Sequence, residues 1–251
     1  MKKKDIHPDA SPLKGASPAS KEPESSPAFH ISPSLDPACG NNPPQKLIDY
    51  LNLLNGVEDL TIHLDIMDGQ FVPRTSVTPE QYKHVIQNSA HKIDVHLMID
   101  LANPKVLNPY IAKTLWGSIR SISIHPEAAN DTDDVLTMLN KIRLMGVAAG
   151  IVIDLPIELT DIDPAILNSA DLFTVMSVKA GASGQTFNPS ALEKVKTLRA
   201  NFPQKQIIVD GGINPDNSTQ VTTAGASTLV MGNAIYSNPN PAATLKALKN
   251  N

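Results

Sequence analysis

After Phe29 the chain alternates short strand-like runs with helix-like ones eight times, and that alternation limits the fold more than anything else in it. Strands that alternate with helices pair in parallel through right-handed crossovers. FHISPS is the first strand, followed by a helix over PQKLIDYLNLL with Leu47, Tyr50, Leu51 and Leu54 on one face. The second strand starts at Thr61 and is expected to end at Asp65, before an Asp68-Gly69 turn. TPEQ, Thr78 to Gln81, is a capping box with proline at the first helical position. KIDVHLM is strand three, and its helix is expected to start at Asn108-Pro109 rather than Asn103-Pro104, because the second proline would break an earlier start. SISIH is strand four, with a helix from about Thr132 to Leu144 that buries Val135, Leu139 and Ile142 and stops at Gly146. VAAGIVID, DLFTVMSV, QIIVD and STLVMG complete the strands. A proline-interrupted helical stretch, IELTDIDPAIL, lies between the fifth and sixth. The last three helices open at Asn188-Pro189, Asn214-Pro215 and Asn240-Pro241.

Eight such units point to an α/β fold of the closed (β/α)8 TIM-barrel type. A doubly wound sheet would more often carry G-x-G-x-x-G after its first strand, and FHISPSLD has none. The barrel is expected to be a single domain over residues 29–251. Residues 1–28 carry five prolines among Ser, Ala and Lys and hardly a bulky apolar side chain, so they read as a disordered tail. The acidic Asp5, Asp9, Glu22 and Glu24, and the lack of an amphipathic Arg pattern, argue against a targeting peptide. A net charge of −4 excludes a strongly basic, nucleic-acid-binding surface. No apolar run reaches membrane-span length, and Cys39 is the lone cysteine. The expectation is a cytoplasmic protein with no membrane or nucleic-acid partner.

A barrel gathers its chemistry at the C-terminal ends of the strands. There stand Ser34, then His63, Asp65 and Met67, then His96 and Met98, His125, Met176 and Ser177, Asp210-Gly211-Gly212, and Gly232-Asn233. Two apart on one strand, His63 and Asp65 project from the same face. With His96 and Asp210 they make an N2O2 set suited to one divalent ion, zinc first, with iron, manganese and cobalt as alternatives.

HLDIMDGQFVP, DVHLM, MSV followed by a glycine-containing loop, and VDGGIN closely resemble ribulose-phosphate 3-epimerase from about Ile31 to Tyr236. The resemblance implies metal ligands at His63, Asp65, His96 and Asp210, with the two aspartates doubling as acid and base, and a site serine at Ser34. The implied activity interconverts D-ribulose 5-phosphate and D-xylulose 5-phosphate. Such a reaction removes a proton from C3 and returns one to the opposite face, so it needs two carboxyl groups flanking that carbon. It also needs positive charge at the developing enediolate, which a bound metal supplies. Met67, Met98 and Met176 would wall the substrate without competing hydrogen bonds. His96 counts among the substrate-binding residues as well. Backbone groups of Gly211, Gly212, Gly232 and Asn233 are placed for the phosphate, closed over by a loop of Gly181, Ala182, Ser183 and Gly184. In that loop this chain reads AGASGQ where the family commonly has P-G-F-G-G-Q, and DPACGNNPP looks inserted before the first helix. Losing the proline and a glycine should loosen the loop. Relatives acting on hexulose 6-phosphates such as allulose 6-phosphate share all four ligands, so that substrate stays open, as does an inactive sugar-phosphate-binding paralogue. The decarboxylase and synthase barrels with a D-x-K-x-x-D strand are excluded, because Met67 stands where the lysine should be. Relatives are often homo-oligomers, and the resemblance extends that expectation to this chain.

Overall fold

A computed structural model describes residues 29–36, 44–103, 107–111, 117–182 and 184–249. Eight strands form one parallel sheet: β1 His30–Pro33, β2 Thr61–Met67, β3 Lys92–Met98, β4 Ile119–Ile124, β5 Ala148–Ile153, β6 Leu172–Met176, β7 Gln206–Asp210 and β8 Thr228–Met231. Each of β2 to β7 pairs with its successor in sequence, and β8 pairs with β1. The ring closes between β1 and β2 through a parallel bridge of Ser34 with His63. Beside it, Leu35 N donates to His63 O at 3.0 Å, and Ser32 Oγ donates to Thr61 O at 2.8 Å. The fold is therefore the (β/α)8 barrel.

Strand-end chemistry follows from register. In β2, Ile62, Leu64 and Ile66 join the main apolar core, while His63, Asp65 and Met67 alternate with them. Asp65 pairs with His96 and Met67 with Met98 across β2 and β3, and Met176 pairs with Asp210 across β6 and β7.

Several element bounds differ from the sequence reading. β2 continues past Asp65 to Met67, where Ser76 Oγ accepts from Met67 N at 2.8 Å and holds the strand end. β6 stops at Met176, because Ser177 turns its hydroxyl to the carbonyls of Asp210 and Gly211. The helix expected at Asn188-Pro189 begins at Ala191, since Asn188 Oδ1 caps Ser190 N at 3.0 Å in a turn ahead of it. Ahead of β6 the proline divides the stretch into a 3-10 turn, Leu159–Asp161, and a helix, Pro164–Ser169 capped by Asp163. A short helix not anticipated from the sequence, Asn233–Tyr236, follows β8. The Thr78 capping box forms as read, on helix Pro79–Asn88. Where the third helix is expected, the described residues form a 3-10 turn, Asn108–Tyr110, and those at 104–106 and 112–116 lie outside the described residues. The tail, most of the inserted DPACGNNPP with its Cys39, and Ser183 lie outside the described residues. No helix among the described residues is long and apolar enough to cross a membrane.

Candidate active site

One ligand atom from each of His63, Asp65, His96 and Asp210 lies within 4.8 Å of the other three. His63 Nε2 stands 3.3 Å from Asp65 Oδ1 and 3.4 Å from Asp210 Oδ2; His96 Nδ1 stands 3.0 Å and 3.5 Å from the same two oxygens. Four ligands at about 2.0–2.1 Å in a tetrahedron would space their atoms about 3.3 Å apart, so the group has the dimensions of one cation's shell. The hydrogen bonding agrees. Neither ring nitrogen of His63 has a hydrogen-bond partner, although the ring is buried and faces two carboxylates. His63 thus approaches both carboxylates without donor–acceptor geometry, as an atom aimed at a shared point does, while His96 Nδ1 is within hydrogen-bond distance of Asp65 Oδ1. The residues present fit a divalent ion.

The electrostatics favour positive charge here. Burial alone drives both imidazoles toward the neutral form, but the facing carboxylates of Asp65 and Asp210 outweigh it and raise His63 and His96 above the free imidazole value. Burial likewise pushes the two carboxyls up, and the charge of His63 outweighs it, holding Asp65 and Asp210 below the usual carboxylate range.

Above the aspartates opens a cavity of about 280 Å³, small for a ligand site and suited to a compact substrate. Asp65 and Asp210 reach its floor, and Met67, Met98 and Met176 wall it. These methionines form a cluster of their own with Val72, Val152 and Val178, apart from the main core. Ser34 also lines the cavity; its Oγ donates to Asp65 Oδ2 at 3.1 Å and accepts from Asp36 N at 3.0 Å. Gly181, Ala182, Gly184, Gly211, Gly212, Gly232 and Asn233 line it as well. No acceptor among the described residues takes the N–H groups of Gly211, Gly212, Gly232 or Asn233. At Gly212 φ is +66°, and a side chain would run into the Phe187 backbone, so the wall can approach this closely only with glycine there.

Other placements differ from the sequence reading. His96, expected among the substrate-binding residues, is fully buried and lines none of the cavity. Sequence reasoning passed over Asp36, Lys179, Gln185 and Asn214, which do line it. Lys179 is the one cationic side chain among the described lining residues. Its position one residue ahead of the altered loop was the signal available. Gln185 Nε2 donates to Lys179 O at 2.6 Å and Ala182 O at 2.8 Å, so the loop expected to be loosened is tied across its base by a side chain.

Fold and rim together define a (β/α)8 barrel that gathers two carboxylates and two histidines at the C-terminal ends of its strands. The model of the ribulose-phosphate 3 epimerase family matches residues 31–236. A ribulose-phosphate 3-epimerase of Synechocystis sp. is 34% identical over 193 residues, 75% of this chain and 81% of the relative. That of Mycobacterium tuberculosis is 33% identical over 210 residues, 81% and 86% of the two chains. A cytoplasmic isoform from Oryza sativa is 29% identical over 190 residues, 75% and 80%. Among solved structures, thiamine phosphate pyrophosphorylase from Pyrococcus furiosus superposes with a TM-score of 0.52 over 89% of this chain and 94% of its own, at 15% identity, a likeness of fold. The chain belongs to the ribulose-phosphate 3-epimerase family, and it is an isomerase, a carbohydrate epimerase.

Proposed function

We propose that the protein interconverts D-ribulose 5-phosphate and D-xylulose 5-phosphate by inverting C3. The observation that carries this reading is the convergence of Asp65 and Asp210, from β2 and β7, on the floor of one small cavity. Carboxylates that reach a carbon from different strands can serve its two faces, one taking the proton while the other returns it. His63, Asp65, His96 and Asp210 would hold a divalent ion, zinc by preference for this donor set. When bound, the ion supplies Lewis acidity to the oxygens beside the reacting carbon. Ser34 orients Asp65 through its 3.1 Å hydrogen bond. The methionine wall keeps hydrogen-bonding competitors and water from the reacting carbon. Backbone N–H groups of Gly211, Gly212, Gly232 and Asn233 take the phosphate, with Lys179 adding charge at the mouth. The single cysteine accords with a reducing compartment, and we place the protein in the cytoplasm.

The test is turnover of D-ribulose 5-phosphate against D-allulose 6-phosphate on the purified protein. A larger kcat/KM for the pentulose supports the proposal. A larger value for the hexulose would transfer the same chemistry to the longer sugar, and no turnover of either would leave a binding protein.

A further inference from the structure

β4 brings a third histidine to the rim. His125, completely buried, stands at its end outside the four-residue group. Its ring lies within 22° of the His96 plane with centroids 5.1 Å apart, and the two Nε2 atoms meet edge to edge at 2.9 Å. On its far side His125 Nδ1 stands 2.9 Å from Glu127 Oε1. Phe71 packs against the ring at 4.7 Å between centroids and holds it in place. Glu127 is itself fixed, in a 3-10 turn over Pro126–Ala128 that Leu101 N anchors through Ala128 O at 3.0 Å.

This chain of contacts has a direction. An ionised carboxylate only accepts, so Glu127 calls for a hydrogen on His125 Nδ1. Neutral His125 then offers a lone pair at Nε2. The 2.9 Å contact needs one donor and one acceptor, which puts the hydrogen of His96 on its Nε2. Neutral His96 is then left with a bare Nδ1, the atom aimed at Asp65 and Asp210. At 3.0 Å from Asp65 Oδ1 that nitrogen can be bridged to the carboxylate by a proton when the site is empty, and by a cation when His96 is neutral. Ligating histidines are usually held in this manner through the other ring nitrogen.

We propose that His125 and Glu127 are positioning residues for the cation site: they lock His96 in its Nε2–H tautomer and aim Nδ1 at the ion. This rests on the cation reading given under Proposed function. Glu127, about a quarter exposed, is the safer point of attack, because removing it opens no core cavity. In full-length Glu127→Ala, zinc affinity measured by competition with a chromogenic chelator should fall about 10–100-fold, while the melting temperature of the chelator-treated protein stays near the parent value. Glu127→Gln, whose amide oxygen can still accept from His125, should recover part of the loss. Nitrogen-15 ring signals of the zinc-loaded parent should place hydrogen on Nε2 and zinc on Nδ1 of His96. Parent-like zinc affinity in Glu127→Ala, or zinc on Nε2 of His96, overturns the positioning role and leaves the cation site standing. A parent protein that takes up no stoichiometric zinc, and is unaltered in this by His63→Ala, overturns both.

Discussion

His63 is a buried imidazole with no hydrogen-bond partner between two carboxylates, a costly arrangement unless something positive is shared among them. Two consequences follow at this scale. With the ion chelated, His63 and His96 keep protons to higher pH than the free value of 6.5. A group whose folded value is raised stabilises fully below its unfolded value and loses that contribution as pH climbs through the raised one. Chelator-treated protein should therefore melt at progressively lower temperature as pH rises above about 6.5, and a flat or rising profile would contradict the charge assignment. The second concerns the aspartates. Asp65→Asn and Asp210→Asn should each lower net epimerisation about 10²–10⁴-fold. With zinc in excess, each variant keeps one working face. It should wash solvent deuterium into one epimer without inverting it, and the two variants should label different epimers. Labelling of the same epimer by both would break the two-carboxylate assignment. These four residues were legible in the sequence because alternation along a strand and a barrel's rim rule place them without coordinates. The His96–His125–Glu127 line was not, since it depends on the register of β4 against β3 and on the turn after Pro126.

Among the elements, strands read more accurately than their ends. Period-two alternation marks a strand, but what stops it is a side chain such as Ser76 or Ser177 bonding to backbone far away in sequence. The loop after β6 is the instructive case. Counting a missing proline and glycine suggested slackness, yet Gln185 ties it to Lys179 and Ala182. At Gly181 φ is +92°, and a Cβ there would come within 2.8 Å of Val72, so the loop packs on the β2 side of the mouth only as glycine. Lys179→Ala is expected to raise KM for the sugar phosphate about tenfold, a loss of about 1.4 kcal/mol, with kcat little changed, because an ammonium at the mouth serves ground and transition states alike. A fall in kcat with constant KM would move Lys179 from binding to chemistry. If the tie leaves slack that the common residues would remove, restoring them with Ala180→Pro and Ser183→Gly should lower KM more than it raises kcat; an unchanged KM would mean that the Gln185 tie already suffices.

On the scale of the molecule, the two ends of the barrel divide their tasks. The rim that holds the His63, Asp65, His96 and Asp210 group is assembled from strand C-termini, whereas the other end is plugged by a polar network. Arg120, near the start of β4, forms an ion pair with Asp94 of β3 and donates to Gln206 at 2.6 Å. Ser121 donates to the same carboxylate, and Gln206 donates to Thr228 at 2.8 Å, so the network spans β3, β4, β7 and β8. Asp94 is almost fully buried, so its charge is tolerated only while these donors remain. Arg120→Met should cost about 2–3 kcal/mol, below the usual penalty for breaking a buried pair because the arginine is one-third exposed and Ser121 still reaches Asp94. For a chain of this length that lowers the melting temperature by about 5–10 °C. Asp94→Asn added to Arg120→Met removes the stranded charge, so the double variant should lose less than the sum of the two single ones. Because the plug lies at the N-terminal face, kcat measured well below melting should stay at the parent value in all three. An additive double variant would mean that Asp94 and Arg120 are not coupled. A fall in kcat without a fall in melting temperature would mean that the two ends of the barrel communicate.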